Sequence, residues 1–170
     1  MRWYSIDEGY LTYLRGIEGR IPYIDYGSDK FKPFFGALFE IGDLVYLTQV
    51  SSPKPRHNRM GENVDFFKLY RGTRLVSVVN LNYMFPVPKN MLIKVNYGKI
   101  DEFLEFDSEE SKSYYIGLLK LELREIKRKD INIKAQELYA FKYVHPEDNV
   151  SKRCFDFKML EVKAVEYDPK

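Results

Sequence analysis

The residues best suited to chemistry lie together at positions 51–58, where the sequence reads SSPKPRHN. Two hydroxyls, three potential cations and an amide share this stretch, and its two prolines restrict the backbone. The serine hydroxyls can donate to phosphate oxygens, Lys54 can supply a countercharge, and His57 can exchange a proton near neutral pH. Cleavage of an RNA phosphodiester without a metal ion needs such groups, because the 2′-hydroxyl must be deprotonated while charge builds on the phosphate.

The same stretch also fits an ordered surface turn, in which the imidazole of His57 is hydrogen-bonded to the backbone. In that interpretation the serines and Lys54 are solvated and take no part in a reaction. The sequence features alone leave both interpretations open.

A second cation is expected beside this stretch. Lys32 precedes a predicted strand at residues 33–41, and another predicted strand at residues 44–50 ends where the serines begin. Gly42 and Asp43 form the turn between the two strands. Because the start of one hairpin strand faces the end of the next, we expect Lys32 to lie close to Ser51.

The charge of the chain is unevenly distributed. The net charge of +2 divides into −2 over residues 1–29, +7 over residues 30–99 and −3 over residues 100–170. A basic block inside a nearly neutral protein is a plausible binding surface for phosphate groups. A sheet face kept charged for solubility is the alternative.

Composition excludes several classes of protein. No run of apolar residues is long enough to span a bilayer, and the N-terminus has no apolar segment of the kind that directs secretion. One cysteine, Cys154, cannot form an internal disulfide, and with only two histidines it cannot complete a zinc site. We expect a cytoplasmic protein that uses no metal and no cofactor.

The pattern of residues predicts one α+β domain over residues 1–170. A short strand at residues 2–6 is followed by a helix that Asp7 caps and that Gly16 and Gly19 end. Residues 21–32 read as a loop, and alternation over many short segments between residues 34 and 97 predicts a small, strongly twisted antiparallel β-sheet or partial barrel. Helices are predicted at residues 109–129 and 131–144, and a helix is favoured over a strand at residues 150–167.

Several of these segments together resemble a known family. The segment KPFFG begins at Lys32, and the serine-rich segment follows the pattern SSPKxxHN. FFKLY and LVSVVNLNYMFPVP come next in the same order. This combination resembles the ToxN/AbiQ/CptN family of endoribonuclease toxins from type III toxin–antitoxin systems, strongly over the first half of the chain and in order and character over the helical second half.

The resemblance implies a fold and an activity. The sheet would be related to that of the Kid/MazF toxins and flanked by helices. The protein would cut cellular mRNA and its own repeat antitoxin RNA without a metal ion, by attack of the 2′-hydroxyl that leaves a 2′,3′-cyclic phosphate. The processed antitoxin RNA, a pseudoknot, would inhibit it in a closed ring of protein and RNA, with no DNA or membrane partner. Free toxin would arrest growth or abort phage infection.

The resemblance also implies a set of site residues. The catalytic residues would be Lys32, Ser51, Ser52 and Lys54 together with a tyrosine of the preceding loop. In the family pattern that tyrosine lies four positions before the lysine, where this chain has Ser28. Tyr26 is the nearest candidate, and Tyr23 is the second. The residues assigned to RNA binding are Lys30, Arg56, His57, Asn58, Arg59, Lys68, Lys127 and Arg128.

Two other functions are compatible with the same residues. A non-catalytic RNA-binding module would use the basic surface without cutting RNA. A ribonuclease toxin of the Kid/MazF type would be neutralised by a protein instead of an RNA.

Overall fold

The computed structural model describes residues 2–24 and 32–169 of the chain. In chain order its elements are β1 (Trp3–Ile6), α1 (Glu8–Ile17), β2 (Phe35–Ile41), β3 (Leu44–Thr48), β4 (Val50–Ser51), α2 (Pro55–Arg59), β5 (Phe66–Arg71), β6 (Arg74–Asn80), β7 (Phe85–Pro88), β8 (Leu92–Lys94), α3 (Glu109–Arg128), α4 (Ile131–Val144), α5 (Asn149–Arg153) and α6 (Phe157–Glu166). Short 3₁₀ turns occupy Leu81–Tyr83, Lys89–Met91 and Tyr97–Glu102. Within the described residues, none of the helices is long and apolar enough to cross a bilayer.

The larger sheet is antiparallel and has the strand order β7-β3-β2-β1-β8. The turn between β2 and β3 falls at Gly42, whose φ of 57° lies in the left-handed region that glycine adopts without a Cβ clash. The register of this hairpin pairs Gly36 with Thr48. The residues just before β2 and just after β3 are therefore at the same end of the sheet.

The chain passes from the larger sheet to a smaller one across a single residue, Gln49. β3 ends before it, and β4 begins after it as an edge strand of a three-stranded antiparallel sheet with the order β4-β6-β5. Ser51 pairs with Val78 of β6, so the first serine belongs to a regular strand. Ser52 follows at the point where this strand ends.

Helices from the second half of the chain cover the sheets. α4 packs against β2, and α6 packs against β7, which buries the apolar faces of both helices in the main core. A second, smaller cluster joins Trp3, Phe34, Ile100 and Leu119. α3 contributes Ile126 to the main core and Leu119 to the smaller cluster, so this one helix connects the two.

The α+β class and the antiparallel pairing of the strands are confirmed. The predicted hairpin is formed by β2 and β3, and the helices predicted at residues 109–129 and 131–144 are α3 and α4. Asp7 caps α1 as predicted, since its carboxylate accepts a hydrogen bond from the backbone N–H of Tyr10 at 2.9 Å. The partial barrel stays a prediction, because the strands pair as two separate sheets.

The structure adds local detail at three places. The polar stretch after Ser52 contains a short helix, α2, which begins at Pro55 because proline fits the first turn of a helix, where no N–H partner is needed. The segment LNYMFPVP starts with a 3₁₀ turn before β7, instead of being one strand. Residues 150–167 are helical, as favoured, but are divided into two helices: α5 ends at Arg153, and Asp156 caps α6 by accepting from the N–H of Met159 at 3.1 Å.

Candidate active site

Lys32 and Ser52 are in direct contact at the end of the β2–β3 hairpin. The Nζ of Lys32 donates a hydrogen bond to the Oγ of Ser52 at 3.1 Å, although 20 positions separate the two residues. The contact follows from the register. Gly36 pairs with Thr48, and Lys32 lies as many residues before Gly36 as Ser52 lies after Thr48. The proximity expected from the sequence is therefore confirmed. Since the hydroxyl oxygen accepts from Lys32, its own proton is left to point elsewhere, for example to a phosphate oxygen.

Gln49 holds this end of the hairpin in place. Its amide Nε2 donates to the carbonyl oxygen of Lys32 at 3.2 Å and to that of Tyr23 at 3.3 Å. The backbone N–H of Lys32 in turn donates to the carbonyl of Ile24 at 2.8 Å. Tyr23, Ile24 and Lys32 are thus tied together next to the site. Two predicted site residues, Tyr26 and Lys30, lie outside the described residues.

The segment after Ser52 is closed by a reciprocal pair of hydrogen bonds. The Nδ1 of His57 accepts from the backbone N–H of Lys54 at 3.0 Å, and the N–H of His57 donates to the carbonyl of Lys54 at 2.8 Å. The imidazole is buried, with 4% of its surface exposed, and lies against the ring of Phe66. Burial lowers the pKa of His57, and the positive charges of Arg56, Lys54 and Lys68 lower it further.

His57 and Lys68 are more buried than the other residues predicted to contact RNA. The imidazole of His57 stabilises the turn, as in the ordered-turn interpretation. Lys68 is also buried, and its Nζ donates to the carbonyl of Asn58 at 3.5 Å. Their assignment to RNA binding stays a prediction.

The other predicted RNA-binding residues lie at the surface. The side chains of Lys54, Arg56, Asn58 and Arg59 are exposed around α2, next to Ser52. Lys127 and Arg128 are exposed at the C-terminal end of α3, where Arg128 pairs with Glu125 at 2.7 Å. The basic surface closest to the candidate site is therefore the one formed by α2.

Two cavities meet at Ser52. One, of about 230 Å³, is polar and is lined by the serines, Lys54, Arg56 and Gln49 among others. The other, of about 120 Å³, lies between the two sheets and α3. Its lining includes Trp3, Lys32, Ser52, Ser77, Tyr115 and Glu122.

A buried carboxyl group lines the smaller cavity and was missed by sequence reasoning. Glu122 of α3 is 6% exposed and accepts a hydrogen bond from the hydroxyl of Ser77. Burial raises its pKa to about 7, against the opposing effects of that hydrogen bond and of the charge on Lys32. The available signal was an acidic residue in the apolar stripe of a predicted helix, between Leu119 and Ile126.

The electrostatics of Lys32 depend on its neighbours. Burial lowers the pKa of its amine, the negative charge of Glu122 opposes this shift, and the positive charge of Lys54 adds to it. Two amines and two hydroxyls converge on one rim, which is an arrangement that can hold a phosphate group and stabilise charge that develops on it. No cluster of three or more metal-ligating side chains occurs among residues 2–24 and 32–169.

Comparison with known proteins identifies a family. A family profile described as "Toxin ToxN, type III toxin-antitoxin system" matches residues 2–165. A curated relative, the Endoribonuclease ToxN of Pectobacterium atrosepticum, is 30% identical over 92 residues, which make up 51% of this chain and 54% of that relative. The matched part thus spans about half the length of the relative.

Solved structures share the fold over nearly the whole chain. One, from work on a processed non-coding RNA that regulates a bacterial antiviral system, has a TM-score of 0.76 at 21% identity and covers 99% of this chain and 100% of its own. Another, from work on selective toxin inhibition by a non-coding RNA pseudoknot, has a TM-score of 0.75 at 20% identity, with coverages of 99% and 98%. A third is AbiQ, a lactococcal anti-phage endoribonuclease of a type-III toxin-antitoxin system, with a TM-score of 0.72 at 20% identity and coverages of 98% and 96%.

Proposed function

This chain belongs to the ToxN toxin family of type III toxin–antitoxin systems, and we propose that it is an endoribonuclease toxin that cuts RNA without a metal ion. The observation that carries the proposal is the hydrogen bond between Lys32 and Ser52 at the rim where two cavities meet. A curated relative that matches about half of this chain is named an endoribonuclease.

Each site residue has its own role in the proposed reaction. The hydroxyls of Ser51 and Ser52 hold the non-bridging oxygens of the scissile phosphate. The ammonium group of Lys32 stabilises the charge that builds on those oxygens as the 2′-hydroxyl attacks, and Lys54 adds a second positive charge. The products are a 2′,3′-cyclic phosphate and a free 5′-hydroxyl. Tyr26 is the proposed fifth member of the set.

The basic surface supplies affinity for RNA. The cations around α2 are exposed and unusually dense for a protein of net charge +2, so phosphate contacts account for a large part of binding. One similar structure comes from work on toxin inhibition by a non-coding RNA pseudoknot. We therefore expect a structured antitoxin RNA to occupy the same surface, in a closed protein–RNA assembly in the cytoplasm, and to compete there with mRNA.

Growth after induction tests the catalytic assignment. Lys32→Ala and Ser52→Ala are expected to abolish toxicity, since each removes one partner of the central contact. Lys94→Ala and Ser113→Ala are matched controls, because both side chains are exposed and lie outside the two cavities. The assignment fails if Lys32→Ala and Ser52→Ala remain as toxic as the controls.

Two further measurements separate the alternatives. Purified protein incubated with RNA in EDTA should yield cyclic-phosphate ends, which a non-catalytic RNA-binding module would not produce. Protein purified together with its inhibitor should carry nuclease-sensitive absorbance. A toxin neutralised by a protein would instead be purified with a second polypeptide.

A further inference from the structure

Glu122 is a buried acid beside the proposed catalytic lysine. It lies on α3, is 6% exposed, and lines the smaller cavity together with Lys32 and Ser52. Glutamate is rarely this buried unless it is paired, because the charged form loses its hydration. The hydroxyl of Ser77 satisfies one carboxylate oxygen and fixes the side chain from β6. A carboxyl group is therefore anchored in the wall of the cavity that the lysine shares.

The titratable groups around this pair come from four parts of the chain. Three titratable side chains face Glu122. They are Lys32, which precedes β2, Tyr97 of a 3₁₀ turn, and Tyr115 of the same helix as Glu122. Lys32 also faces Lys54 of the serine loop. Both tyrosines have raised pKa values, chiefly through burial, so they are neutral at physiological pH. Among these neighbours, Glu122 is the group whose negative charge acts on the amine of Lys32.

A purely structural role does not account for this carboxyl. An apolar residue of similar volume would fill the wall of the cavity without the cost of burying a charge. A negative charge has a specific effect on a neighbouring amine, because it favours the protonated form. Without it, burial and the charge of Lys54 would both favour loss of the proton from Lys32.

We propose that Glu122 is a positioning residue that keeps Lys32 in its ammonium form and directed at Ser52, so that the scissile phosphate meets a fixed positive charge. The inference rests on the proposed ribonuclease function. Ser77 is part of the same device, because its hydroxyl holds the carboxylate in the wall of the cavity. Glu122 itself does not touch the substrate.

The pH dependence of cleavage tests this role. Glu122→Gln keeps the size of the side chain and an oxygen that can accept from Ser77, but removes the charge. We expect the alkaline limb of the pH–rate profile to move to lower pH, with cleavage about tenfold slower there for each unit of displacement. Below the pKa of Glu122, which is about 7, the carboxyl is neutral, so the two profiles should converge. The probe is a labelled RNA that contains every dinucleotide step, cut under single-turnover conditions.

Glu125→Gln is the matched control. Glu125 is a buried glutamate on the same helix, but it pairs with Arg128 and does not line the cavity. Its pH–rate profile should follow that of the wild type. Ser77→Ala should displace the alkaline limb in the same direction as Glu122→Gln, since the carboxylate loses its anchor.

The possible results distinguish the inference from the function on which it rests. Wild-type protein that does not cut the RNA, or Lys32→Ala protein that cuts it normally, overturns the proposed function. Normal cleavage by the wild type, none by Lys32→Ala, and superimposable profiles for Glu122→Gln and the wild type overturn the inference alone. Faster cleavage by Glu122→Gln at neutral pH also overturns it, because the neutral amine would then be the reactive form.

A direct measurement covers the case in which Glu122→Gln unfolds. In Ser52→Ala protein, which is expected to be inactive, NMR can follow the titration of the Lys32 side chain with and without Ser77→Ala. The inference requires the Lys32 pKa to fall when the carboxylate loses its anchor. An unchanged value contradicts it.

Discussion

The indole Nε1 of Trp3 donates a hydrogen bond to the backbone carbonyl of Leu119 at 3.0 Å. The bond joins β1 to the middle of α3, one turn before Glu122. The indole also lies against Gly36 across the sheet, where a Cβ would be in van der Waals contact with the ring at 3.4 Å. The position of α3 over the candidate site thus depends on a tryptophan at the start of the chain.

Removal of this donor should destabilise the protein. Trp3→Phe keeps an aromatic ring but removes one hydrogen bond to the carbonyl of Leu119, which retains its partner within α3. The free energy of unfolding should therefore fall by about 0.5–1.5 kcal/mol. Urea unfolding followed by circular dichroism measures this change. Fluorescence is unsuitable, because Trp3 is the single tryptophan and the variant lacks it. The measurement uses the Ser52→Ala background, which is expected to remove toxicity. Tyr114→Phe, an exposed ring on α3, is the control, and an equal change in both variants would contradict the prediction.

Loss of the ammonium group of Lys32 should slow cleavage. Removal of one fixed donor that stabilises developing charge costs on the order of 10²–10³ in rate. Lys32→Ala should therefore lose at least that factor in single-turnover cleavage, while RNA affinity changes much less, because the exposed cations of α2 remain. Lys94→Ala should match the wild type. A loss in affinity equal to the loss in rate would assign Lys32 to binding instead.

The exposed arginines of α2 should determine the salt dependence of RNA binding. Each phosphate contact on single-stranded RNA contributes about 0.7 to the slope of log affinity against log salt. Arg56→Ala and Arg59→Ala should each weaken binding and reduce that slope, whereas Arg74→Ala, an exposed arginine of the β5–β6 hairpin, should do neither. Titration of inactive Ser52→Ala protein with labelled RNA at several salt concentrations measures both quantities.

His57 should contribute to stability in a pH-dependent way. Its pKa is lowered in the folded protein, so the unfolded chain binds a proton more readily. The stabilisation is complete above the unfolded pKa of about 6.5 and is lost as the pH falls through the lower folded value. The difference in unfolding free energy between wild type and His57→Gln should therefore shrink from pH 8 to pH 5. A difference that grows at low pH would show that the folded protein favours the charged imidazole.

The site could be predicted from the sequence where its geometry is local. The contact between Lys32 and Ser52 follows from one hairpin, whose glycine turn and strand lengths are readable in the residues. The contribution of Glu122 could not be found in this way, because it depends on how α3 packs across two sheets. The buried position of His57 agrees with the ordered-turn interpretation. The sequence left both interpretations open because a proline start and the imidazole together form a turn too short to leave a periodic pattern.

Elements were predicted best where one periodic pattern runs without interruption. α3 and α4 agree with their predicted ranges because apolar residues recur at helical spacing between clear caps. The split between α5 and α6 was missed because Phe155 and Met159 continue that spacing across the break. The signal for the break was Asp156, an aspartate that caps the start of α6.

The smaller cavity draws its walls from Trp3, Lys32, Ser52, Ser77 and Glu122, which are spread over more than two thirds of the polypeptide. A ribosome must therefore have released α3 before this cavity can be completed. Until then Lys32 and Ser52 can meet within their hairpin, but the wall that carries Glu122 is absent.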